Sequence, residues 1–277
     1  MTKREITLAH SPDSDDAFMF YALATNKVDS DKVVVRHHLN DIETLNREAK
    51  EGVWDVTAIS FHALPYITQH YALLPCGGSM GDGYGPIVVS GRNLSPDELR
   101  GKKIAVPGLL TTAYLTMKIF QPDFTPVVTR FDEIIDAVKA NRVDAGLLIH
   151  EGQLTYGSEG LRRVVDLGRW WKDQYGLPLP LGGNVIRKEL RGPLGDEIAS
   201  LIRRSVQYAL DFRPEALAYA LQFVRDMEPD LADRFVGMYV NDYTLDYGPQ
   251  GREAITKLLQ LGYEKGLISE KPVVEFA

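Results

Sequence analysis

Cysteine is nearly missing from this 277-residue sequence, which contains only Cys76. A single thiol cannot form an internal disulfide or a cysteine-based metal site, so the fold must depend on its hydrophobic core. Apolar runs of the ~18 residues that a membrane span requires are missing as well. No apolar stretch of about 7–15 residues, the mark of a secretory signal, follows the basic start Met1–Arg4. We therefore expect a cytoplasmic protein with no membrane partner.

Positive charge is also scarce: 31 Lys and Arg stand against 38 Asp and Glu, which gives a net charge of −7. Nucleic acids are bound mainly by clustered cations, and the basic groups here are short, such as Arg162-Arg163 and Arg203-Arg204. The charge balance therefore argues against a nucleic-acid partner and leaves a small molecule as the expected ligand.

Several motifs of common enzyme classes are absent or incomplete. The sequence has neither a Gly-x-x-x-x-Gly-Lys-Ser/Thr phosphate loop nor a Gly-x-Gly-x-x-Gly run after its first predicted strand. The stretch Gly77–Gly81 matches the Gly-x-Ser-x-Gly pattern of a nucleophile elbow, but more glycines follow where a helix is required, so we interpret it as a turn. His37 and His38 are adjacent on a predicted strand and face opposite sides, so the sequence indicates no metal site.

Short apolar runs alternate with segments of helical periodicity, a pattern that predicts βαβ units and largely parallel sheets. The predicted strands are Glu5–Ala9, Val33–Leu39, Asp55–Ser60, Tyr71–Pro75, Pro86–Ser90, Lys102–Val106, Val127–Arg130 and Asp144–His150. The predicted helices are Ala17–Ala24, Asp41–Lys50, Asp132–Ala140, one that runs from Thr111-Thr112 through Ile119, and, from Gly192 onward, Ser200–Leu210, Pro214–Asp226 and Gln250–Lys265.

Turn residues mark two crossings of the chain, at Gly91–Leu99 and at Leu177–Val185. They predict a large lobe built from residues 1–92 and 184–277 and a small lobe built from residues 93–183. The expected architecture is a two-lobed α/β fold of the periplasmic-binding-protein type II kind, with mixed sheets flanked by helices. A ligand cleft is expected between the lobes.

An internal repeat supports two similar lobes. The helix before residue 51 and the strand that ends at Ser60 resemble the helix before residue 141 and the strand that ends at His150. Each strand thus delivers a polar residue at its carboxyl end, which is where ligands bind in open α/β sheets.

Lys102–Tyr114 carries the strongest local signal. A strand leads into Gly-x-x-Thr-Thr at a helix start, which brings free backbone N–H groups and the hydroxyls of Thr111 and Thr112 to the positive end of a helix. Such an end favours a carboxylate or phosphate by about 0.3–1 kcal/mol. The alternative is that one of the two threonines only caps the helix.

Two further segments could contribute to chemistry. His150 follows the apolar run Ala145–Ile149, and a neutral imidazole with a pKa near about 6.5 is suited to act as a general base. A buried structural histidine is the alternative. Ser11–Asp16 concentrates hydroxyls and carboxylates between a strand and a helix, where they could bind hydroxyls or an amine, or only cap the helix.

Taken together, these segments resemble the 1,4-dihydroxy-6-naphthoate synthase family. The resemblance runs in order over nearly the whole chain, through Ser11-Pro12, Asp16, Phe18, Phe20–Leu23, Asp41–Asn46, Gly85-Pro86, Val106–Gly108, Thr111–Tyr114, Ile149–Glu151 and Gly176–Gly182. It implies a two-lobed binding-protein fold and conversion of cyclic de-hypoxanthinylfutalosine to 1,4-dihydroxy-6-naphthoate in menaquinone biosynthesis, without a cofactor.

The resemblance also implies roles for individual residues. His150 lies where the family has its proton acceptor and would draw a proton from a carboxylated substrate, so that the bond to the sugar-derived part breaks. The implied substrate-binding residues are Ser11, Asp16, Asp41, Ala58, Ile59, Ser60, Thr111 and Thr112.

The chain departs from the family pattern at the cleft. Where the family has Ser-Pro-Cys-Pro-Asn-Asp-Thr-Phe, this chain has Asp13, Ser14, Asp15 and Ala17 in place of Cys, Pro, Asn and Thr. Ala58 replaces a lysine. A more negative cleft would disfavour a carboxylated substrate by roughly 1–4 kcal/mol for each close charge pair. Two other functions therefore remain open: a small-molecule binding protein without catalysis, and chorismate dehydratase, which shares the fold and the pathway.

Overall fold

The computed structural model describes residues 2–223 and 228–277. The first elements are β1 (Arg4–His10), α1 (Ser14–Ala24), β2 (Val33–Leu39), α2 (Ile42–Lys50), β3 (Val56–Ser60), β4 (Tyr71–Leu73), β5 (Ser79–Gly81) and β6 (Ile87–Ser90). The middle of the chain forms β7 (Lys103–Val106), α3 (Thr112–Phe120), β8 (Thr125–Val128), α4 (Ile134–Lys139), β9 (Ala145–Leu148), α5 (Gly152–Thr155), β10 (Arg162–Asp166), α6 (Leu167–Tyr175) and β11 (Leu179–Arg187).

The remaining described residues are mainly helical: α7 (Pro193–Asp211), α8 (Arg213–Ala220), α9 (Pro229–Tyr239), α10 (Asp242–Leu245) and α11 (Gly248–Glu264). Short 3₁₀ turns connect several elements, at Phe61–Tyr66, Pro96–Leu99, Phe131–Glu133, Lys188–Leu190 and Leu221–Phe223. The helix predicted over Pro214–Asp226 ends partly outside the described residues. In the part of the chain that is described, no helix is long and apolar enough to cross a membrane.

The strands form two mixed sheets. In the first, the order is β2-β1-β3-β11-β4, and β5 pairs with β11. Strands β1, β2 and β3 are parallel, whereas β11 runs antiparallel to β3. In the second sheet, the order is β10-β6-β9-β7-β8, with β7 parallel to both β8 and β9. The predicted mixed sheets flanked by helices are thus confirmed.

Alternating burial explains why these segments form strands and helices. In β1, Ile6 and Leu8 are almost fully buried and pack in one core with α1 and α7. Helix α7 contributes a stripe at helical spacing, Ile198, Leu201, Ile202 and Val206, to the same core. Burying one such side chain stabilises the fold by about 1.5–3 kcal/mol relative to leaving it exposed. A separate core joins β7, β9 and α3 in the second sheet.

Two predicted crossings need correction. Strand β6 lies before residue 91 but pairs with β9 and β10 in the second sheet, so the first crossing falls at residues 82–86 instead of Gly91–Leu99. The segment Leu177–Val185 was predicted to cross back, but most of it belongs to β11 at the centre of the first sheet. The return crossing is therefore the short stretch after Gly176, which ends α6 with a left-handed φ of 69°. The reason is that turn residues lie on both sides of β6, and their pattern does not reveal which sheet a strand joins.

Two local predictions were also wrong. The glycine-rich stretch interpreted as a turn contains β5, which pairs with the first half of β11. The strand predicted to end at His150 stops at Leu148. His150 therefore lies in a bend beyond the sheet, where its direction is set by neighbouring loops and not by strand geometry.

Candidate functional site

A cleft opens where strands of the two sheets end. The carboxyl ends of β1, β3 and β9, the loop after β7 and the middle of β11 all contribute to it. This is the expected place for a ligand in open α/β sheets. The side chains and backbone that line the cavity include Ser11, Asp13, Asp15, Asp16, Ile42, Ala58, Ile59, Ser60, Gly77, Ser79, Thr111, Thr112, Ala113, Ile149, Gln153, Leu181, Asn184 and Tyr239.

Seven of the eight predicted substrate-binding residues line this cavity. Asp41 is the one that does not; its Oδ1 accepts from the Thr44 backbone N–H at 3.1 Å and so caps α2. Its neighbour Ile42 lines the cavity in its place. A helix cap of this kind contributes about 0.5–2 kcal/mol of stability. The structure thus gives Asp41 a local structural role, while the position next to it faces the cleft.

Ser60 is held in place by a buried asparagine. The Ser60 N–H donates to Asn46 Oδ1 at 2.8 Å, and Asn46 Nδ2 donates to Ser60 Oγ at 3.1 Å. Asn46 Nδ2 also lies 3.4 Å from the carbonyl oxygen of Leu110, in the loop after β7. One fully buried amide therefore connects α2 and the end of β3 to the other side of the cleft.

The two threonines at the start of α3 have different hydrogen bonds. Thr111 caps the helix, because its Oγ1 accepts from the Tyr114 N–H at 3.2 Å. Thr112 Oγ1 donates to the carbonyl oxygen of Leu181 at 2.6 Å, across to β11. Thr111 therefore caps α3, and its predicted role in substrate binding stays a prediction. Both residues still line the cavity, with the positive end of α3 behind them.

The segment before α1 forms an acidic cluster. The Ser11 N–H donates to Asp16 Oδ2 at 2.7 Å, and Ser11 Oγ donates to Asp13 Oδ2 at 2.8 Å. Asp13 occupies the N-cap position of α1, but its side chain makes no capping bond. Capping thus does not explain this cluster, in which Asp13, Asp15 and Asp16 all line the cavity.

The cluster binds protons more tightly than ordinary carboxylates do. Burial, with the added negative charge of Glu151, raises the pKa of Asp13 to about 6. Burial raises the pKa of Asp16 to about 7, against the opposing effect of the Ser11 N–H. Burial and the charge of Asp16 also raise the pKa of Asp15 well above its ordinary value. At neutral pH the cleft therefore holds carboxyl groups that can donate hydrogen bonds as well as accept them.

His150 lies beside the cavity and is not among the described residues that line it, although its neighbours Ile149 and Gln153 are. Its Nε2 lies 2.7 Å from the carbonyl oxygen of Phe131, and its Nδ1 accepts from the Gly152 N–H at 3.0 Å. Because a carbonyl only accepts and an N–H only donates, the proton of the neutral ring is on Nε2. In this conformation both ring nitrogens are bonded to backbone.

Hydrogen bonds across the cleft hold the two sides together. Ser14 Oγ, on α1, donates to Glu151 Oε1 at 2.7 Å. The Leu110 N–H, in the loop after β7, donates to Glu43 Oε2 of α2 at 3.1 Å. A Cβ at Gly108 would collide with the Glu43 carboxylate, so this close approach requires glycine. Buried Glu43 has a raised pKa because burial outweighs the stabilisation from the Leu110 N–H.

Sequence reasoning missed four polar residues of the cavity: Ser79, Gln153, Asn184 and Tyr239. The Tyr239 hydroxyl, on α9, donates to Gln153 Oε1 at 2.7 Å, and Asn184 Nδ2 donates to the Gly77 carbonyl oxygen at 2.6 Å. Gln153 Nε2 and Asn184 Oδ1 are buried and have no partner. For Asn184 a signal was available, because an amide inside the strand run Leu181–Ile186 must be buried.

Comparison with known proteins gives a consistent result. The family model described as menaquinone biosynthesis matches residues 6–264. A Thermus thermophilus protein named 1,4-dihydroxy-6-naphthoate synthase is 39% identical over 267 residues, covering 96% of this chain and 97% of that protein. A Streptomyces coelicolor protein of the same name is 38% identical over 274 residues, covering 97% and 96%.

Solved structures confirm the fold. An Archaeoglobus fulgidus protein is 47% identical, with a TM-score of 0.92 over 95% of this chain and 98% of that one. A Candida albicans protein with the generic periplasmic binding protein fold is 12% identical, with a TM-score of 0.75 over 98% of this chain and 92% of that one. The second likeness shows the fold alone, and it confirms the predicted periplasmic-binding-protein-like architecture.

Proposed function

This chain belongs to the menaquinone biosynthesis family, and from that membership we propose that it converts cyclic de-hypoxanthinylfutalosine to 1,4-dihydroxy-6-naphthoate. The observation that carries the proposal is similarity over nearly the full length to two relatives that bear the name of this synthase. Both relatives are named for the synthase and not for chorismate dehydratase, which favours the former reaction.

The cleft offers a place for each part of such a substrate. Its carboxylate would face the start of α3, where Thr112 and Ala113 line the cavity and the helix dipole favours an anion by about 0.3–1 kcal/mol. Apolar side chains such as Ile42, Ile59 and Leu181 would contact the aromatic ring. Its sugar-derived part would then lie near the polar groups at the opposite end of the cavity.

The proposed chemistry is that of a carbon–carbon lyase with His150 as general base. His150 would take a proton from the substrate, and the electron pair left behind would form a new double bond as the bond to the sugar-derived part breaks. The departing carbon would keep the electron pair of the broken bond and take up a proton. To act as the base, the ring must leave the Phe131 carbonyl and turn an unprotonated nitrogen toward the cavity. Both hydrogen bonds of the ring are to backbone groups, so the movement breaks these two bonds and the packing against the Phe131 ring. Glu151 Oε2 lies 4.0 Å from His150 Nδ1 and would stabilise the imidazolium that forms when the ring takes the proton.

The test of this role compares the wild-type protein with His150→Ala and with His70→Ala as a matched control. We expect His150→Ala to lower kcat by about 10²–10⁴-fold, the usual worth of a positioned base. His70→Ala should keep its activity, since His70 packs near Gly52 and does not line the cleft. All three proteins should have the same circular dichroism spectrum at the assay temperature, even if His150→Ala, which loses two hydrogen bonds to backbone, unfolds at a lower temperature. Full activity of His150→Ala would remove His150 from the reaction.

A further inference from the structure

Two residues of the cavity wall, Gln153 and Asn184, each carry a buried polar atom that is unused within the protein. Gln153 is 6% exposed and Asn184 is 1% exposed, yet Gln153 Nε2 and Asn184 Oδ1 have no hydrogen-bond partner. Leaving a buried polar group unpaired costs about 1–3 kcal/mol. Such groups in a cavity wall indicate that the missing partner belongs to a ligand.

The orientation of each amide follows from its one occupied atom. The Gly77 carbonyl can only accept, so Asn184 must offer it Nδ2, which leaves Oδ1 as a free acceptor. The Tyr239 hydroxyl donates to Gln153 Oε1, which leaves Nε2 as a free donor. The cavity therefore requires a ligand that donates on one side and accepts on the other.

Only some chemical groups meet this requirement. A ligand carboxylate cannot donate to Asn184, and an ammonium group cannot accept from Gln153. A hydroxyl does both. The acidic cluster points to the same chemistry, since Asp13 and Asp16 line the same cavity and carboxyl groups bind hydroxyls in either protonation state. Among the described lining residues there is no lysine or arginine that would neutralise an anion.

We propose that Gln153 and Asn184 are specificity-determining residues that bind the hydroxyl groups of the sugar-derived part of the substrate. This inference rests on the proposed function for the identity of that substrate. Gln153 precedes β10 in the second-sheet half of the chain, whereas Asn184 lies on β11 of the first sheet. Hydroxyls bound by both residues therefore link the two sides of the cleft. Neutral amides recognise the hydroxyl-bearing end of the substrate. The carboxyl groups of Asp13 and Asp15, which replace neutral residues of the family pattern, can also bind hydroxyls.

The experiment measures kcat and KM for the wild-type protein and for Asn184→Leu, Asn184→Asp and Gln153→Leu. Loss of one hydrogen bond to a neutral hydroxyl is expected to raise KM about 10-fold in Asn184→Leu and Gln153→Leu, with a smaller change in kcat. Asn184→Asp places a second oxygen against the Gly77 carbonyl, which can only accept, so it should raise KM at least as much as Asn184→Leu does. Unchanged KM in both leucine variants, with active wild-type protein, would overturn the inference and leave the proposed function standing.

Two controls separate ligand binding from packing. Tyr239→Phe keeps the ring but removes the bond that orients the Gln153 amide, so it should raise KM by less than Gln153→Leu does. Tyr247→Phe removes another buried, unpartnered hydroxyl that does not line the cavity, and it should leave KM unchanged. If Gln153→Leu raises KM only together with a matching fall in the thermal unfolding midpoint, Gln153 acts by packing alone and its assignment is wrong.

A second readout does not depend on turnover. D-ribose carries vicinal hydroxyls, and saturation-transfer NMR detects its weak binding. The inference predicts a ribose signal with the wild-type protein that is lost in Asn184→Leu, whereas a benzoate signal, which comes from the aromatic part of the cleft, should be the same in both proteins. Wild-type protein that fails to turn over the substrate but keeps this pattern would remove the proposed function alone. Equal ribose signals in both proteins, or none in the wild type, would overturn the inference.

Discussion

Replacing Asp16 by asparagine should make the protein more stable, and more so as the pH rises. Burial raises the pKa of Asp16 from 3.8 to about 7, so ionising this carboxyl in the folded protein costs free energy that the unfolded chain does not spend. A shift of roughly three units, at about 1.4 kcal/mol per unit, corresponds to about 4 kcal/mol at full ionisation. Asparagine can still accept from the Ser11 N–H, which donates to Asp16 at 2.7 Å.

The direction of the pH dependence follows from proton linkage. A carboxyl with a raised pKa binds a proton more tightly in the folded state, so its stabilising effect is complete below about pH 4. That effect is lost as the pH rises through about 7. The free energy of unfolding of Asp16→Asn should therefore equal that of the wild type near pH 4. At pH 8 it should exceed the wild-type value by about 2–4 kcal/mol, the lower bound allowing for local relaxation.

Urea unfolding followed by circular dichroism at pH 4 and pH 8 measures this difference. Asp29→Asn is the matched control, because Asp29 is a carboxylate whose side chain is 79% exposed. The control should change stability little at either pH. An Asp16→Asn protein that is equally affected at both pH values, or less stable than the wild type at pH 8, would refute the reasoning about burial.

Two further predictions concern the contacts that join the sides of the cleft. Asn46→Ala should lower the free energy of unfolding by about 2–4 kcal/mol, because it leaves the buried Ser60 N–H unpaired. Asn93→Ala, at an exposed position, is the control and should not lower it. Equal melting temperatures of the two variants in calorimetry would contradict this prediction. Gly108→Ala should displace the Glu43 carboxylate and raise KM about 10-fold. Gly91→Ala is the control, because Gly91 has open space around it, and it should leave KM unchanged. Equal KM values of the two variants in steady-state kinetics would contradict this prediction.

Much of the fold could be predicted because it is encoded locally. Alternating apolar residues marked β2 at its observed bounds, and Asp41 with Gly52 marked the limits of α2 within two residues. The sheet to which a strand belongs is a different matter, since it depends on contacts between distant segments. Strand β6 was therefore assigned to the wrong sheet, and β11 was taken for a crossing because its Pro180, Gly182 and Gly183 are common in turns.

The residues of the candidate site also divide into those that local sequence predicts and those that depend on contacts between distant segments. Residues at the ends of strands, such as Ser11 and Ser60, were predicted because strand ends meet at one edge of a sheet. Gln153 and Asn184 were missed because their importance depends on which of their polar atoms is already bonded. The strand run around Asn184 signals that its amide is buried, but no pattern in a single sequence reveals which polar atom is left unbonded. The predicted role of His150 as base stays a prediction, because the bend after β9 turns its ring toward Phe131.

The account is tested most directly by the number of product molecules formed per protein molecule. Purified protein is mixed with an excess of cyclic de-hypoxanthinylfutalosine, and 1,4-dihydroxy-6-naphthoate is followed by mass spectrometry, with chorismate in a parallel reaction. The account predicts many equivalents of product from the first substrate and no reaction with chorismate. Substrate that binds without forming product would contradict the lyase function and identify a binding protein, and consumption of chorismate alone would identify the dehydratase.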